Sequence, residues 1–132
     1  MAGARLFRVI LQVGDLRTAS AFYTTLLGVD GRAVGGGRVY FDCGDVILAL
    51  LDPTAAGAKP EPNRDDVYLA VDDIDDAHER AMRLEGLSPG AVHGESAGDV
   101  VTRPWGERSF YVRDPWGNRL CFVDAKTVFT GR

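Results

Sequence analysis

Several features are scarce in this 132-residue chain, and each scarcity excludes a class of protein. The two cysteines, Cys43 and Cys121, lie inside apolar strand-like runs and not in a spaced framework, so two reduced buried thiols in a cytoplasmic protein are expected in preference to a disulfide. No apolar run approaches the ~18 residues of a membrane span. Acidic residues number 19 against 15 basic ones, and the net charge of −4 gives no reason to expect a polyanion such as nucleic acid, whose binding needs a basic face to neutralise phosphates. We therefore expect neither a nucleic acid nor a membrane as a partner.

What the chain does contain is an internal repeat, in which its two halves match at an offset of 58 residues. The first copy contains Val9, Leu11, Val13, Asp15, Leu16, Ala19 and Gly28, and the second contains Val67, Leu69, Val71, Asp73, Ile74, Ala77 and Gly86. In each copy the alternating apolar residues predict a strand and the glycine is expected to end a helix, which is capped by Asp15 in the first copy and by Asp73 or a neighbouring residue in the second. A repeated supersecondary unit restricts the fold more than any single residue does.

Each predicted helix is followed by a stretch that fits about three further strands. In the first half, two of these strands form a hairpin about Gly44-Asp45. In the second half, residues 90–99 are small and polar, and they fit either a weak strand or a mobile loop. Residues 126–132 predict a loosely held tail. Because each helix must cover one face of a sheet, the pattern predicts an α+β fold.

The predicted organisation is a single domain, 1–132, made of two βαβββ units at 5–51 and 65–124. Residues 52–64 contain three prolines and almost no large apolar residue, and they predict a linker. Each sheet leaves its second face concave, and two such sheets joined edge to edge would form a cleft. The side chains expected to line that cleft are Arg8, Gln12, Asp66 and Tyr68, which lie on the second face of the first strand in each unit.

Specific motifs are distributed over nearly the whole chain. They are Val13-Gly14-Asp15-Leu16, Ala21-Phe22-Tyr23, Leu27-Gly28, Val71-Asp72-Asp73-Ile74, Pro104-Trp105-Gly106-Glu107-Arg108 and Arg113-Asp114-Pro115-Trp116-Gly117-Asn118. With these motifs the chain resembles the vicinal oxygen chelate superfamily of glyoxalases, bleomycin-resistance proteins and extradiol dioxygenases. The resemblance implies tandem βαβββ units forming a concave mixed-sheet cleft, and we also expect a homodimer. It does not decide function, because this fold carries both enzymes and binding proteins.

The resemblance also implies four metal-ligand positions, since the enzymes of this family hold a divalent metal through His, Gln and Glu. These positions read Arg8, Asp66, Cys121 and Ala49, or Leu48 in place of Ala49 if the register shifts by one. A guanidinium is always cationic and alanine has no donor atom, so the set makes a poor metal cage. We therefore predict no metal and no cofactor, and an ion pair between Arg8 and Asp66 where relatives hold the metal.

The histidines, Cys121 and the tryptophans are the other chemically distinctive side chains, and two of them, Cys121 and Trp105, allow two interpretations. His78 is expected on a solvated helix face and His93 in a loop, and neither falls on a ligand position. Cys121 fits either an inert buried thiol or a thiolate favoured by Arg8. Trp116 is expected to pack a turn, whereas Trp105 either packs a turn or faces a ligand.

Taken together, these patterns favour a metal-independent protein that sequesters a small molecule, as bleomycin-resistance-type proteins do in antibiotic resistance. The expected ligand is aromatic or a drug-like natural product. The predicted ligand-binding residues are Arg8, Gln12, Tyr40, Asp66, Tyr68, Trp105, Arg113 and Cys121, and no catalytic residue is predicted. The alternative is a lyase, isomerase or dioxygenase of the same superfamily with an atypical or absent metal site. In that case Asp66, Cys121 or Glu107 would perform acid–base chemistry.

Overall fold

A computed structural model describes residues 3–132 and divides the chain into two compact units. Unit 1 ends at Pro62, and unit 2 is Asn63–Arg132. Each unit has one helix and one four-stranded mixed sheet, which confirms the predicted α+β class and the tandem βαβββ order. Within the described residues, no helix is long and apolar enough to cross a membrane.

Unit 1 contains the βαβββ order in its simplest form. Its elements are β1 (Arg8–Gln12), α1 (Leu16–Leu27), β2 (Arg32–Gly35), β3 (Arg38–Cys43) and β4 (Val46–Leu51). The strand order is β1-β4-β3-β2, with β1 parallel to β4 and the other pairs antiparallel. The predicted hairpin about Gly44-Asp45 is therefore confirmed as the connection between β3 and β4.

Helix α1 has both of the terminal signals predicted from its sequence. The Asp15 side chain accepts from the backbone N–H of Arg17 at 3.0 Å, and Gly28 ends the helix in the left-handed conformation with φ of 71°. The buried side of the helix packs on the sheet, where the Tyr23 and Phe41 rings lie 6.3 Å apart. The opposite face of the sheet is not covered by α1.

Unit 2 has the same order with an additional hairpin. Its elements are β5 (Val67–Val71), α2 (Ile74–Arg83), β6 (Ala91–Val92), β7 (Glu95–Ser96), β8 (Val101–Thr102), β9 (Arg108–Arg113) and β10 (Arg119–Asp124). The main sheet has the order β5-β10-β9-β8, and β6 pairs only with β7. Of the two alternatives for residues 90–99, the structure therefore has strands, which form a short hairpin.

His78 differs from its predicted place on a solvated face of α2. Its Nε2 lies 2.8 Å from the carbonyl oxygen of Gly98, and its ring packs edge-on against Phe110 at 5.0 Å. The helical spacing could not reveal this contact, because the partner lies in the irregular segment before β8. His78 is thus a half-buried packing residue that connects α2 to that segment.

Candidate ligand-binding site

The face of the unit 2 sheet opposite α2 carries several chemically distinctive side chains. The pairing of β5, β10 and β9 places Tyr68, Cys121 and Tyr111 side by side in one row. The next row contains Ala70, Val123 and Ser109. Because side chains alternate along a strand, these residues all project away from α2.

The segment before β8 packs over part of this face. Ala97 and Val92 contact the buried cluster that includes Tyr111 and Cys121. The segment is attached to β9 at two points, since the Ser88 N–H donates to the Tyr111 carbonyl at 2.9 Å and the Tyr111 N–H donates to the Ala97 carbonyl at 2.8 Å. This part of the sheet therefore has apolar material on both faces.

The buried Arg103 side chain connects the same segment to β9 through hydrogen bonds. It is only 2% exposed, and it donates to the Ser109 hydroxyl at 3.1 Å and to the carbonyl oxygens of Ser96, Ala97 and Ser109. Its guanidinium also lies 5.1 Å from the Tyr111 ring centre. Each of these partners is neutral, so the charge is spread over carbonyl dipoles and one aromatic face.

Beside the covered region lies a cavity of about 380 Å³. It is lined by Tyr68, Leu69, Ala70, Trp105, Glu107, Val123, Val128 and Phe129. Three of these side chains are aromatic and four are aliphatic, and a mostly apolar wall with one polar group is typical of small-molecule sites. Trp105 and Tyr68, both predicted from the sequence to contact a ligand, therefore line the same cavity.

Glu107 organises one wall of this cavity. The residue is 8% exposed, and its carboxylate accepts from the Trp105 indole N–H at 2.7 Å and from the Phe129 backbone N–H at 2.9 Å. The Trp105 ring also packs edge-on with the His93 ring, and the two ring centres lie 5.2 Å apart. One carboxylate thus fixes both the indole and the C-terminal segment, and each of its oxygens is engaged.

The C-terminal segment is not the loosely held tail that its composition predicts. The Thr127 hydroxyl accepts from the Arg108 N–H at 3.0 Å and donates to the Asp124 carbonyl at 2.8 Å. With the bond from Phe129 to Glu107, these contacts hold the segment against β9. Sequence reasoning missed Val128 and Phe129 as lining residues, although an apolar pair in a polar terminus was a usable signal.

Cys121 is fully buried and is absent from the cavity lining. Burial raises the pKa of its thiol to about 12, even though hydrogen bonds from Ser109 and Tyr111 act in the opposite direction. Burial and a hydrogen bond to Tyr68 likewise raise the pKa of Tyr111. Of the two readings of Cys121, the inert buried thiol fits the structure, and a thiolate at neutral pH does not.

Four of the remaining predicted site residues have partners within their own units, namely Arg8, Gln12, Tyr40 and Asp66. In unit 1, the Gln12 side chain accepts from the Glu61 N–H at 2.9 Å, and Arg8 donates to the Tyr40 hydroxyl at 3.3 Å. In unit 2, Arg119 donates to the Asp66 carboxylate at 3.2 Å.

Arg8 and Tyr40 line a second cavity, which belongs to unit 1. Arg113 is exposed at the end of β9 and lines neither cavity, and Trp116 lies half-buried in the turn before β10. The ion pair predicted between Arg8 and Asp66 remains a prediction.

The four positions that correspond to the family's metal ligands do not fit a divalent metal. Arg8 is a cation, Ala49 has no donor and faces away from α1, the Asp66 carboxylate is already paired with Arg119, and the Cys121 thiol holds its proton. Among residues 3–132, no group of three or more His, Cys, Asp or Glu side chains is close enough to hold a metal.

The architecture consists of two βαβββ units, with a cavity in unit 2 that is lined mainly by aromatic and aliphatic side chains. The chain belongs to the Glyoxalase/Bleomycin resistance protein/Dioxygenase superfamily, whose model matches residues 5–122. The family resemblance stated from the motifs is therefore confirmed. No curated protein gives a significant match.

Solved structures share the fold along almost the whole chain. A lactoylglutathione lyase from Agrobacterium tumefaciens is 26% identical, with a TM-score of 0.67 over 95% of this chain and 96% of that one. A glyoxalase/bleomycin resistance protein from Albidiferax ferrireducens is 21% identical, with a TM-score of 0.69 over 90% and 98%. An oxidase, ChaP-H2, is 19% identical with a TM-score of 0.72 over 93% and 94%, and at such identities the likeness concerns the fold alone.

Proposed function

We propose that this protein binds a planar, largely apolar small molecule in the unit 2 cavity, without a metal and without converting it. The observation that carries the proposal is the aromatic lining formed by Trp105, Tyr68 and Phe129 around a volume of about 380 Å³. Aromatic rings provide a large stacking surface at a small entropic cost, and the volume lies in the range of drug-sized sites. Sequestration of an aromatic natural product is the role that follows.

The polar groups around the cavity support binding rather than catalysis. Glu107 has both oxygens engaged, and the raised pKa of Tyr111 and of Cys121 keeps these groups protonated at neutral pH. A general base needs a free lone pair near the operating pH, and none of the three provides one. A homodimer in the cytoplasm completes the proposal, and size-exclusion chromatography with light scattering tests the dimer.

The second candidate is a superfamily enzyme, and the observation in its favour is the 26% identity to a lactoylglutathione lyase over 95% of the chain. The two candidates differ in the fate of the bound molecule. Chromatography and mass spectrometry of the ligand released after long incubation distinguish them. Recovery of the unchanged compound supports sequestration, and a time-dependent new product supports catalysis.

The binding proposal is tested with the two tryptophans of the chain. In a Trp116→Phe variant Trp105 is the only tryptophan, so its emission reports directly on the unit 2 cavity. Titration with the neutral aromatic probe N-phenyl-1-naphthylamine should quench this emission with saturation. Trp105→Ala should weaken binding of the probe about tenfold, as followed by the fluorescence of the probe itself, because a central aromatic anchor is lost.

Trp116→Ala is the matched control, since Trp116 also occurs in a Pro-Trp-Gly motif but does not line the cavity. Its affinity for the probe should equal that of the parent protein. Equal losses in both variants, or no loss in Trp105→Ala with an unchanged circular dichroism spectrum, would contradict the proposed site. Glu107→Gln, which keeps an acceptor for the indole, should reduce affinity less than Glu107→Ala.

A further inference from the structure

The face of the unit 1 sheet that α1 leaves uncovered has an unusual charge for this protein. Its side chains include Arg8 on β1, Arg32 on β2, and Arg38 and Asp42 on β3. Three arginines and one aspartate give this face a positive charge, whereas the whole chain has a net charge of −4. A local excess of the minority charge attracts small anions to that surface.

Two of these arginines border a cavity of about 410 Å³. The cavity is lined by Arg8, Ile10, Val34, Gly35, Gly36, Arg38 and Tyr40. No carboxylate is among the lining residues, and the two aliphatic side chains are strongly exposed, Ile10 at 48% and Val34 at 44%. The cavity therefore combines two cationic groups with an apolar surface that has no cover within unit 1.

The Arg8 guanidinium is held in place by neutral groups. Its central carbon lies 4.9 Å from the Phe7 ring centre and 5.7 Å from the Tyr40 ring centre, and one of its nitrogens donates to the Tyr40 hydroxyl. Stacking on aromatic faces orients the planar group without neutralising its charge. Arg8 thus keeps most of its donors available for an external acceptor.

Arg38 is positioned by the turn that precedes it. Gly35, Gly36 and Gly37 all have positive φ, and the Arg38 side chain folds back to donate to the Gly36 carbonyl at 3.2 Å. A Cβ on Gly36 would lie 2.9 Å from an Arg38 nitrogen, so a side chain there would displace the guanidinium. The glycine turn therefore permits the observed position of Arg38.

Two acidic groups of unit 1, Asp42 on this face and Asp52 after β4, are already engaged. Asp42 forms a two-point ion pair with Arg32, with N–O distances of 2.7 Å and 3.1 Å. Asp52, which follows β4, accepts from the backbone N–H and the hydroxyl of Thr54. Within the described part of unit 1, neither Arg8 nor Arg38 forms an ion pair.

We propose that this cavity binds an oxyanion carried on a short apolar stem, such as a carboxylate or a phosphate monoester. The forks of Arg8 and Arg38 match the two-point geometry of these anions, and the Tyr40 hydroxyl adds a further polar contact. Ile10 and Val34 contact the stem. This site lies in unit 1 and does not depend on the aromatic site proposed for unit 2.

The experiment is a titration of the ¹⁵N-labelled full chain, followed by NMR. Four probes separate the contribution of the anionic group from that of the apolar stem. Hexanoate carries the charge and the stem, acetate only the charge, and 1-hexanol only the stem, while hexyl phosphate compares the two anionic groups. Hexanoate should bind about tenfold more tightly than acetate or 1-hexanol. The ranking of hexanoate against hexyl phosphate then identifies the preferred anion.

Arg8→Gln and Arg38→Gln should each weaken hexanoate binding about tenfold. Arg17→Gln is the matched control, because it removes the same charge from an exposed position of α1 outside the cavity. Equal affinities for hexanoate and 1-hexanol, or equal losses in Arg17→Gln and Arg38→Gln, would overturn the proposal. Loss of N-phenyl-1-naphthylamine binding would leave it unaffected, since that probe reports on unit 2.

Discussion

The two units share one supersecondary order but differ in what lies over the sheet face opposite the helix. In unit 1, residues 28–31 join α1 directly to β2, and the face has exposed Ile10 and charged Arg8. In unit 2, residues 84–100 join α2 to β8, and part of this long connection packs over the sheet. The repeated sequence therefore gives both sheets a helix on one face. The opposite faces differ because the connection after α2 is much longer than the connection after α1 and packs over its sheet.

The difference also changes the chemistry of each face. In unit 2 the connection and the C-terminal segment enclose apolar and aromatic side chains, and burial keeps the Cys121 and Tyr111 protons in place. In unit 1 the same kind of face remains open, and charged groups stay solvated and available. One fold thus provides an apolar cavity in one unit and a cationic cavity in the other.

The largest expected effect concerns the covered face of unit 2. Arg103→Leu removes a buried guanidinium and leaves several carbonyl oxygens without their donor, so the free energy of unfolding should fall by about 3 kcal/mol. Urea unfolding followed by circular dichroism measures it. Arg113→Leu, at an exposed position near the end of β9, should change stability by less than about 0.5 kcal/mol. Similar losses in the two variants would show that Arg103 does not hold the cover.

A second expected effect concerns the buried Cys121 thiol of unit 2, whose ionisation makes the stability of the protein depend on pH. The pKa of Cys121 is raised from 9.0 to about 12. The unfolded chain therefore loses this proton first as pH rises, and the associated stability is complete below pH 9 and lost towards pH 12. Between pH 8.5 and 10.5 the parent protein should lose about 2 kcal/mol more than Cys121→Ala, as measured by urea unfolding at each pH.

Alkylation provides an independent check on the same comparison. At pH 8, iodoacetamide should modify the half-exposed Cys43 of unit 1 and leave Cys121 unmodified until the protein unfolds. Mass spectrometry of tryptic peptides identifies the modified residue. Rapid native modification of Cys121 would mean that the face of unit 2 is open, and the contrast between the units would fail.

The smallest expected effect compares the two helix caps. Asp15 accepts from two backbone N–H groups and from the Thr18 hydroxyl, whereas Asp73 accepts only from the Asp76 N–H. Asp15→Ala should therefore lower the melting temperature more than Asp73→Ala. The Thr18 hydroxyl lowers the pKa of Asp15, so its contribution should persist at neutral pH and disappear as the carboxylate is protonated in acid. Melting curves at a series of pH values test both statements, and equal effects of the two substitutions would show equivalent caps.

Much of the fold was predictable because it depends on local signals. The caps at Asp15 and Asp73, the stop at Gly28 and the alternation in β1 and β5 are each visible within a few residues. The predicted stop at Gly86 is wrong, because α2 ends at Arg83 and Glu85, with φ of 55°, adopts the left-handed conformation in place of the glycine. The resemblance of the motifs to the family predicted the same architecture, which the structure and the family model confirm.

The candidate site was predictable only in part. Trp105 and Tyr68 were identified as ligand-facing aromatics, but Glu107 was considered only for acid–base chemistry, and Phe129 was assigned to a loose tail. The bonds from Glu107 to both the indole and the Phe129 N–H join segments that no periodicity connects. Gln12 and Asp66 have polar partners of their own, which sequence alone could not reveal.

The sequence by itself determined the α+β class, the two βαβββ units and the poor set of metal donors, because residue type and spacing control caps, strand faces and coordination chemistry. The tertiary structure alone decided which polar side chains are free to meet a ligand. It buried Cys121 and Arg103, paired Asp66 with Arg119 and left Arg8 and Arg38 beside an open cavity. Burial and ion pairing depend on neighbours that are distant in the chain, and those neighbours decide the chemistry of each face.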